Sequence, residues 1–210
     1  MTVQKWDKRA NWAALNPTLV AGEMGIESDT GYEKIGDGKQ PWSKLAYFGS
    51  PGLWAEFASD SDQSTTANTP TAVQFPIVGG KNGVNIIDNT KLTVSYPGIY
   101  VFEVLLQLQN ADTSIHDVSF WLRKNNQAAA GNLALTTSAA SVIESHGGTP
   151  GANNLLLDHT LQLAADDYIE IMWAPGDAQV TLKAGAAITN PYDRPTRPSA
   201  VCNVFQIAAA

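Results

Sequence analysis

The sequence holds a single cysteine, Cys202, so no disulfide can close within one chain and a thiolate zinc site has no ligands. Cys202 lies in the apolar run "AVCNVFQI" and reads as a small buried side chain. Histidine is nearly as scarce. His116, His146 and His159 fall in polar stretches or beside a short apolar run, without the i, i+4 spacing of a helical zinc pair, and need no special role. Positive charge is short as well: 13 Lys and Arg stand against 20 Asp and Glu, a formal net charge of −7 with no basic run. That excludes sequence-independent nucleic-acid binding, which rests on cations neutralising phosphates. No apolar run nears the roughly 18 residues of a membrane helix, so no membrane partner is expected. The opening "MTVQKWDKRANW" lacks the apolar stretch of a secretory signal, and synthesis in a cytoplasm is the expectation. What is present is a 210-residue chain, 44% hydrophobic, able to fill one large core or a small and a medium one.

Residues 27–38, "ESDTGYEKIGDG", carry Asp29-Thr30-Gly31 and Gly36-Asp37-Gly38. An aspartic-protease reading needs two carboxylates sharing a proton in a deep cleft, which about fifty Gly-rich residues cannot build alone. A metal reading needs several oxygens converging at about 2.3–2.6 Å, and Asp37 with Asp29 or Glu27 leaves a weak cation site open. A turn needs least: Asp29 bonds its own downstream backbone, and Gly31 supplies positive φ. Around it, Arg9 to Leu15 reads as a helical turn stopped at Pro17. Met24 and Ile26 share one face of a strand, and "GYEKIG" returns as its hairpin partner. Residues 1–50 thus form a small β-rich module. Residues 51–70, rich in Ser, Thr, Asp and Pro, read as a linker or a lead-in strand.

From residue 71 to 210 the pattern is all-β. "GIYVFEVLLQLQ" follows a Pro97-Gly98 turn suited to type II geometry and puts Tyr100, Phe102, Val104, Leu106 and Leu108 on one core face. "HDVSFWLRKNN" alternates Val118, Phe120 and Leu122 against Ser119, Trp121 and Arg123, then turns at Asn125-Asn126. "NNLLLDHTLQLAADDYIEIMW" offers two strands around Asp166-Asp167, and "AQVTLKAGAAI" and "SAVCNVFQI" two more. With "AVQF" and "VNII", about eight strands arise without a long amphipathic helix between them, the spacing of a two-sheet antiparallel sandwich. The second faces of two strands are greasy where a solvated sheet should alternate. Val101, Glu103 and Leu105 lie opposite one core face, and Tyr168, Glu170 and Met172 lie opposite Ile169, Ile171 and Trp173. Apolar patches of this kind mark interfaces, so these six residues are expected to join identical copies through one sheet, unless loops or the N-terminal module cover them.

Two regions resemble known families. From Lys8 to Gly49, the ordered set Trp12, Pro17, Ala21-Gly22-Glu23, Gly25, Asp29-Thr30-Gly31, Ile35-Gly36-Asp37-Gly38 and Trp42 closely resembles the N-terminal module of the phage major tropism determinant, found on tail-fibre and other virion proteins. The resemblance implies a compact β-rich element that trimerises near the particle-attached end. Trp12, Met24, Ile26, Tyr32, Ile35 and Trp42 are the candidate virion-attachment residues. From Thr66 to Ile207, "TANTPTAVQF", "GIYVFEV", "FWLRKN" and "DDYIEIMW" are similar to the C1q/TNF-type jelly roll of phage structural proteins. That implies a trimer about a three-fold axis. Some members bind calcium, but the loop carboxylates here are too sparse to name ligands, and no cofactor is implied.

The expectation that follows is a homotrimeric appendage on the exterior of a bacteriophage virion, assembled in the host cytoplasm and docked on the major capsid or a tail protein. Only about twenty residues separate the two regions, too few for a shaft, which favours a compact capsid decoration protein over the alternative, a short tail fibre or receptor-binding protein. Long loops on a rigid sandwich carry ligand contacts, and Trp173, Tyr192 and Arg194 are candidates for a host surface glycan. No enzyme is expected: Asp166 and Asp167 are adjacent, so a glycosidase pair is not formed, and no Ser-His-Asp or Cys-His arrangement has a motif context.

Overall fold

The computed structural model describes residues 4–45, 47–48, 52–125 and 130–209. The Asn126 part of the expected turn lies outside them, while Asn125 adopts φ 54°. The N-terminal module is a four-stranded sheet in the order β1 (Lys5–Asp7), β2 (Met24–Glu27), β3 (Glu33–Ile35), β4 (Tyr47–Phe48), with helix α1 (Arg9–Leu15) between β1 and β2. Strand β1 runs parallel to β2, and β2, β3 and β4 follow antiparallel. Its core is Trp12 stacked on Trp42, ring centroids 4.3 Å apart, with Leu19 and Leu45. Gly25 sits beneath that stack: a Cβ there would lie 2.6 Å from the Trp42 ring and 3.0 Å from Leu19. The Trp12 indole N–H donates to the Ile26 carbonyl at 2.9 Å, fixing α1 on β2.

The turn that opened the question is a scaffold. Gly31 has φ 74° and its N–H donates to the Glu27 carbonyl. Asp29 does not bond its own downstream backbone as expected. Its Oδ1 accepts the N–H of Arg9, the first residue of α1, at 2.8 Å, so the turn caps a helix from twenty residues away. Asp37 behaves as read, accepting the N–H groups of Lys39 and Gln40 at 2.8 Å, and those two bonds hold its carboxyl below the usual range.

The sandwich is built from β5 (Trp54–Ser59), β6 (Thr71–Ala72), β7 (Ile77–Asn82), β8 (Val84–Ile87), β9 (Lys91–Val94), β10 (Gly98–Asn110), β11 (His116–Lys124), β12 (Ser138–Val142), β13 (Gly151–Leu163), β14 (Tyr168–Pro175), β15 (Val180–Leu182) and β16 (Ala200–Ala209). One sheet runs β13-β10-β16-β5-β7 with β15 beside β10; the other runs β12-β11-β14-β9-β8 with β6 beside β14. Phe57, Tyr100, Phe102, Leu106 and Cys202 from the first meet Leu92, Phe120, Leu122, Ile169 and Ile171 from the second, all fully buried. Each such aliphatic or aromatic side chain contributes about 1.5–3 kcal/mol. Burial also pushes the Cys202 thiol far above its ordinary pKa, as expected of an inert core cysteine.

Within 51–70, the stretch read as a linker or lead-in strand, β5 is paired on both sides, with β16 and with β7, and Leu53, Ala55 and Phe57 enter the core. The sandwich therefore begins inside that stretch. The expected type II turn at Pro97-Gly98 does not form: Gly98 is not in the positive-φ set and starts β10. Gly98 is there for space instead, since a Cβ would meet the Gln206 amide at 2.1 Å. The module and the sandwich are joined by packing. Tyr32, 1% exposed, donates its hydroxyl to Gln206 of β16 at 2.8 Å and meets Tyr96 edge-on at 5.7 Å, while the Arg9 guanidinium lies 5.7 Å from the Tyr96 ring.

Candidate functional site

The six residues expected to form one interface are not on one sheet. Strand β10 lies in the β13-β10-β16-β5-β7 sheet and β14 in the other. The β14 residues are already covered within the subunit: Met172 is 1% and Glu170 4% exposed. Met172 pairs with Trp121 on one side and Ala72 on the other, and the Trp121 indole N–H is anchored on Asn132 Oδ1 at 2.7 Å. Glu170 accepts from Nε and Nη2 of Arg123, each at 2.9 Å. Tyr168 is half-buried, its N–H bonded to Asn125 Oδ1. Glu170 and Met172 are thus internal and are withdrawn from the interface, while Tyr168, half-buried, lies on the other sheet from Val101, Glu103 and Leu105.

The β10 residues are different. Val101 and Leu105 stay half-buried on the outer face, and register extends each into a row. Val101 pairs with Phe205, which pairs with Trp54, 47% exposed. Leu105 pairs with Leu156, 68% exposed, and with Val201, which pairs with Ala58 and then Ile77, 39% exposed. Trp54 lies across Gly80 of the edge strand β7, where a Cβ would meet its ring at 2.6 Å. Between the two apolar rows runs an acidic one: Asp158 opposite Glu103, Glu103 opposite Asn203, and Asn203 opposite Glu56. Val101, Glu103 and Leu105 thus share the outer face of β10, and pairing sets Trp54, Phe205, Val201, Leu156 and Ile77 beside them. The added residues escape a reading confined to single strands because register between distant strands assembles the rows.

Most candidate attachment residues of the module are its own core. Trp12 and Trp42 stack inside it, Ile26 is 5% exposed, and Tyr32 faces the sandwich. Met24 is half-buried, and Ile35 alone of the six is exposed. The apolar surface the module presents also includes Phe48 and, beside a groove of about 360 Å³ lined by Lys5, Trp6, Asp7, Trp12, Leu15 and Pro17, the exposed Trp6, Leu15 and Val20. The signal for Trp6 was a lone large aromatic among charges in "QKWDKR".

The charged groups inside the module are structural. Glu27 is fully buried and accepts from Tyr47 Oη at 2.7 Å and Thr30 Oγ1 at 2.6 Å. Lys34, 5% exposed, donates to the Trp42 carbonyl at 3.0 Å and lies 4.1 Å from the Tyr47 ring centre; burial lowers its pKa. Among the described residues no group of three or more His, Cys, Asp or Glu is placed to hold a metal, and no helix is long and apolar enough to cross a membrane.

The expected ligand loops also separate. Trp173 is in strand β14, 1% exposed. Arg194 serves its own loop, donating to the carbonyls of Ala186 at 2.8 Å and Pro195 at 3.0 Å. Tyr192 is exposed.

Comparison with known proteins finds one likeness in fold and two in sequence. The sandwich is similar in fold to the Eiger TNF of S. frugiperda, with a TM-score of 0.52 at 16% identity over 76% of this chain and 95% of that one. A hyaluronoglucosaminidase of Streptococcus pyogenes phage H4489A is 48% identical over 40 residues, 19% of this chain and 11% of that protein. The match thus spans about a tenth of that relative's length. Residues 5–40 match the major tropism determinant N-terminal domain, so the protein joins a phage-type N-terminal module to a TNF-like jelly roll.

Proposed function

We propose that the protein is a bacteriophage virion-exterior protein that assembles as a homotrimer through the outer face of the β13-β10-β16-β5-β7 sheet, with the N-terminal module toward the particle. The observation that carries this is the pair of outward apolar rows, Val101-Phe205-Trp54 and Leu156-Leu105-Val201-Ala58-Ile77, in which Trp54, Leu156 and Ile77 are exposed and the rest half-buried. A monomer leaves such a surface wet at a cost, and a second copy removes it from water at about 25 cal/mol per Å². The acidic row across the same face acts against assembly, so association strengthens as salt screens Glu56, Glu103 and Asp158. The module's exposed Trp6, Leu15, Val20 and Ile35 are the surface for a tail or major capsid protein.

Between the two virion roles, host attachment at the tail is favoured over capsid decoration, because the matching module is described as the N-terminal domain of a tropism determinant. Quantitative mass spectrometry of purified particles with antibody labelling tests the assignment. A few copies at the tail support host attachment; many copies over the head support decoration; absence from the particle removes both.

A further inference from the structure

We infer that the N-terminal module holds a carboxylate-binding site, in the cavity between α1 and the β2-β3-β4 face, which takes an Asp or Glu side chain of the virion protein it docks on. The cavity is about 300 Å³, the lower end of the range of about 300–1,000 Å³ usual for ligand sites, and admits a carboxylate on a short stem. Arg9, Asn16, Glu27, Lys34, Ser43 and Tyr47 stand in its wall. Each element delivers a part. Arg9 opens α1 and Asn16 caps its end, Glu27 ends β2, Lys34 and Tyr47 are paired across β3 and β4, and Ser43 lies in the short turn Trp42–Lys44.

The charges in this wall do not balance. Two cations, Arg9 and Lys34, stand against one carboxylate, Glu27, whose oxygens are already taken by the Tyr47 and Thr30 hydroxyls. The Arg9 guanidinium, half-buried, makes no hydrogen bond or ion pair among the described residues and lies 5.7 Å from the Tyr96 ring. Asn16 spends its Oδ1 on the Ser43 N–H at 2.8 Å, which leaves its amide N–H groups and the Ser43 hydroxyl as donors at the exposed mouth. Lys34, at the floor, keeps its structural bond to the Trp42 carbonyl and acts on a ligand through its charge, which burial leaves poorly screened. Asp7 and Asp29, the acids at the start of α1, accept the N–H groups of Lys8 and Arg9 and are not part of the wall. That surplus selects the ligand. A single negative charge neutralises it, whereas a phosphate dianion would be left facing Glu27. A nucleic-acid strand needs a row of cations, and the chain has no basic run. A carboxylate matches the Arg9 fork with two parallel hydrogen bonds, and Ala13 and Trp42 in the same wall suit its methylene stem. The site is complete within one module; only the identity of the partner rests on the virion reading.

Titration of the intact, isotope-labelled chain with N-acetyl-L-glutamate N-methylamide, followed by NMR at the backbone amides and the Arg9 Nε, tests the site. The glutamine analogue serves as the uncharged twin and D-glucuronate as a sugar acid. Saturable shifts at Arg9, Asn16 and Ser43 are expected with the glutamate probe and none with its twin. Arg9→Gln should weaken binding about tenfold or more, the loss of a charge-assisted contact, while Lys44→Gln, which removes an exposed charge outside the wall, should leave it unchanged. Should Arg9→Gln fail to fold, Ser43→Glu at the exposed mouth places a carboxylate of the chain's own at the site and is expected to abolish binding. No saturable shift with the glutamate probe, equal shifts with the twin, equal losses in Arg9→Gln and Lys44→Gln, or tighter binding of glucuronate overturns the proposal. A chain that sits on the virion but ignores the probe sinks this inference alone. One that binds the probe but is absent from the particle sinks the virion assignment, and with it the partner named here.

Discussion

At the scale of single residues, the recurring glycines and acids of the module are explained by contact. Gly25 leaves room for the Trp12–Trp42 stack, and Gly36 for the backbone of Val20 and Leu19, where a Cβ would come within 2.4 Å of a carbonyl oxygen. Gly25→Ala should destabilise the module by about 1–3 kcal/mol through overpacking, read as a lowered midpoint in chemical denaturation. Glu27 is a buried acceptor with two donors, and Tyr47→Phe, which removes one, should cost about 1–2 kcal/mol by the same measurement. Asp167 sets a pH dependence. Burial pushes its carboxyl up, but the Lys124 ammonium at 2.6 Å, the Asn125 amide and the Ala164 N–H outweigh it and hold the pKa below the ordinary value. A carboxyl depressed in the folded state adds stability above its unfolded pKa of about 3.9, and that stability is lost as pH falls through the folded value. Acid unfolding of Asp167→Asn should therefore show a shallower loss of stability below about pH 4 than the parent; an unchanged acid limb would mean the carboxylate is not stabilised in this way.

At the scale of elements, the strands with strict alternation were legible and those without it were not. From Tyr100 to Leu108 in β10 and from Val118 to Leu122 in β11 every second residue is apolar and buried, and both strands are legible from sequence alone. Strand β5 alternates too, Leu53, Ala55 and Phe57 inward against Trp54 and Glu56, but six residues of pattern were masked by a flanking composition of Ser, Thr, Asp and Pro. Strand β7, "IVGGKN", has no period because its glycines make room for Trp54 and Glu56 of its neighbour. Strand β14 is of a third kind. A strand apolar on both faces reads equally as an interface or as a layer with a lid, and only tertiary packing on Trp121, Ala72 and Arg123 decides for the lid. Met172→Glu accordingly belongs to folding and not to assembly: it should destabilise the subunit by about 3 kcal/mol or more, since a buried unpaired charge has no partner there. If thermal denaturation shows Met172→Glu as stable as the parent, the strand's outer face is open after all.

At the scale of the whole molecule, the module is fastened to the sandwich by side chains rather than hung from a tether. Tyr32, Tyr96, Tyr100 and Gln206 form one buried junction, with Tyr100 donating to the Tyr96 carbonyl at 2.8 Å and Gln206 reaching the Pro97 carbonyl at 3.1 Å. The junction couples the orientation of the module to that of the jelly roll. The division into a phage-type module and a C1q/TNF-type sandwich was legible because the module's glycines and tryptophans recur in fixed order, while the docking surfaces were not, because exposure depends on which faces the fold uses up. The central claim is that the outer face of the β13-β10-β16-β5-β7 sheet joins three copies. Native mass spectrometry of the purified chain beside Trp54→Glu and Leu105→Glu tests it most directly: a trimer for the parent and folded monomers for both variants are predicted, whereas a parent that stays monomeric at micromolar concentration, or variants that still form trimers, would contradict it.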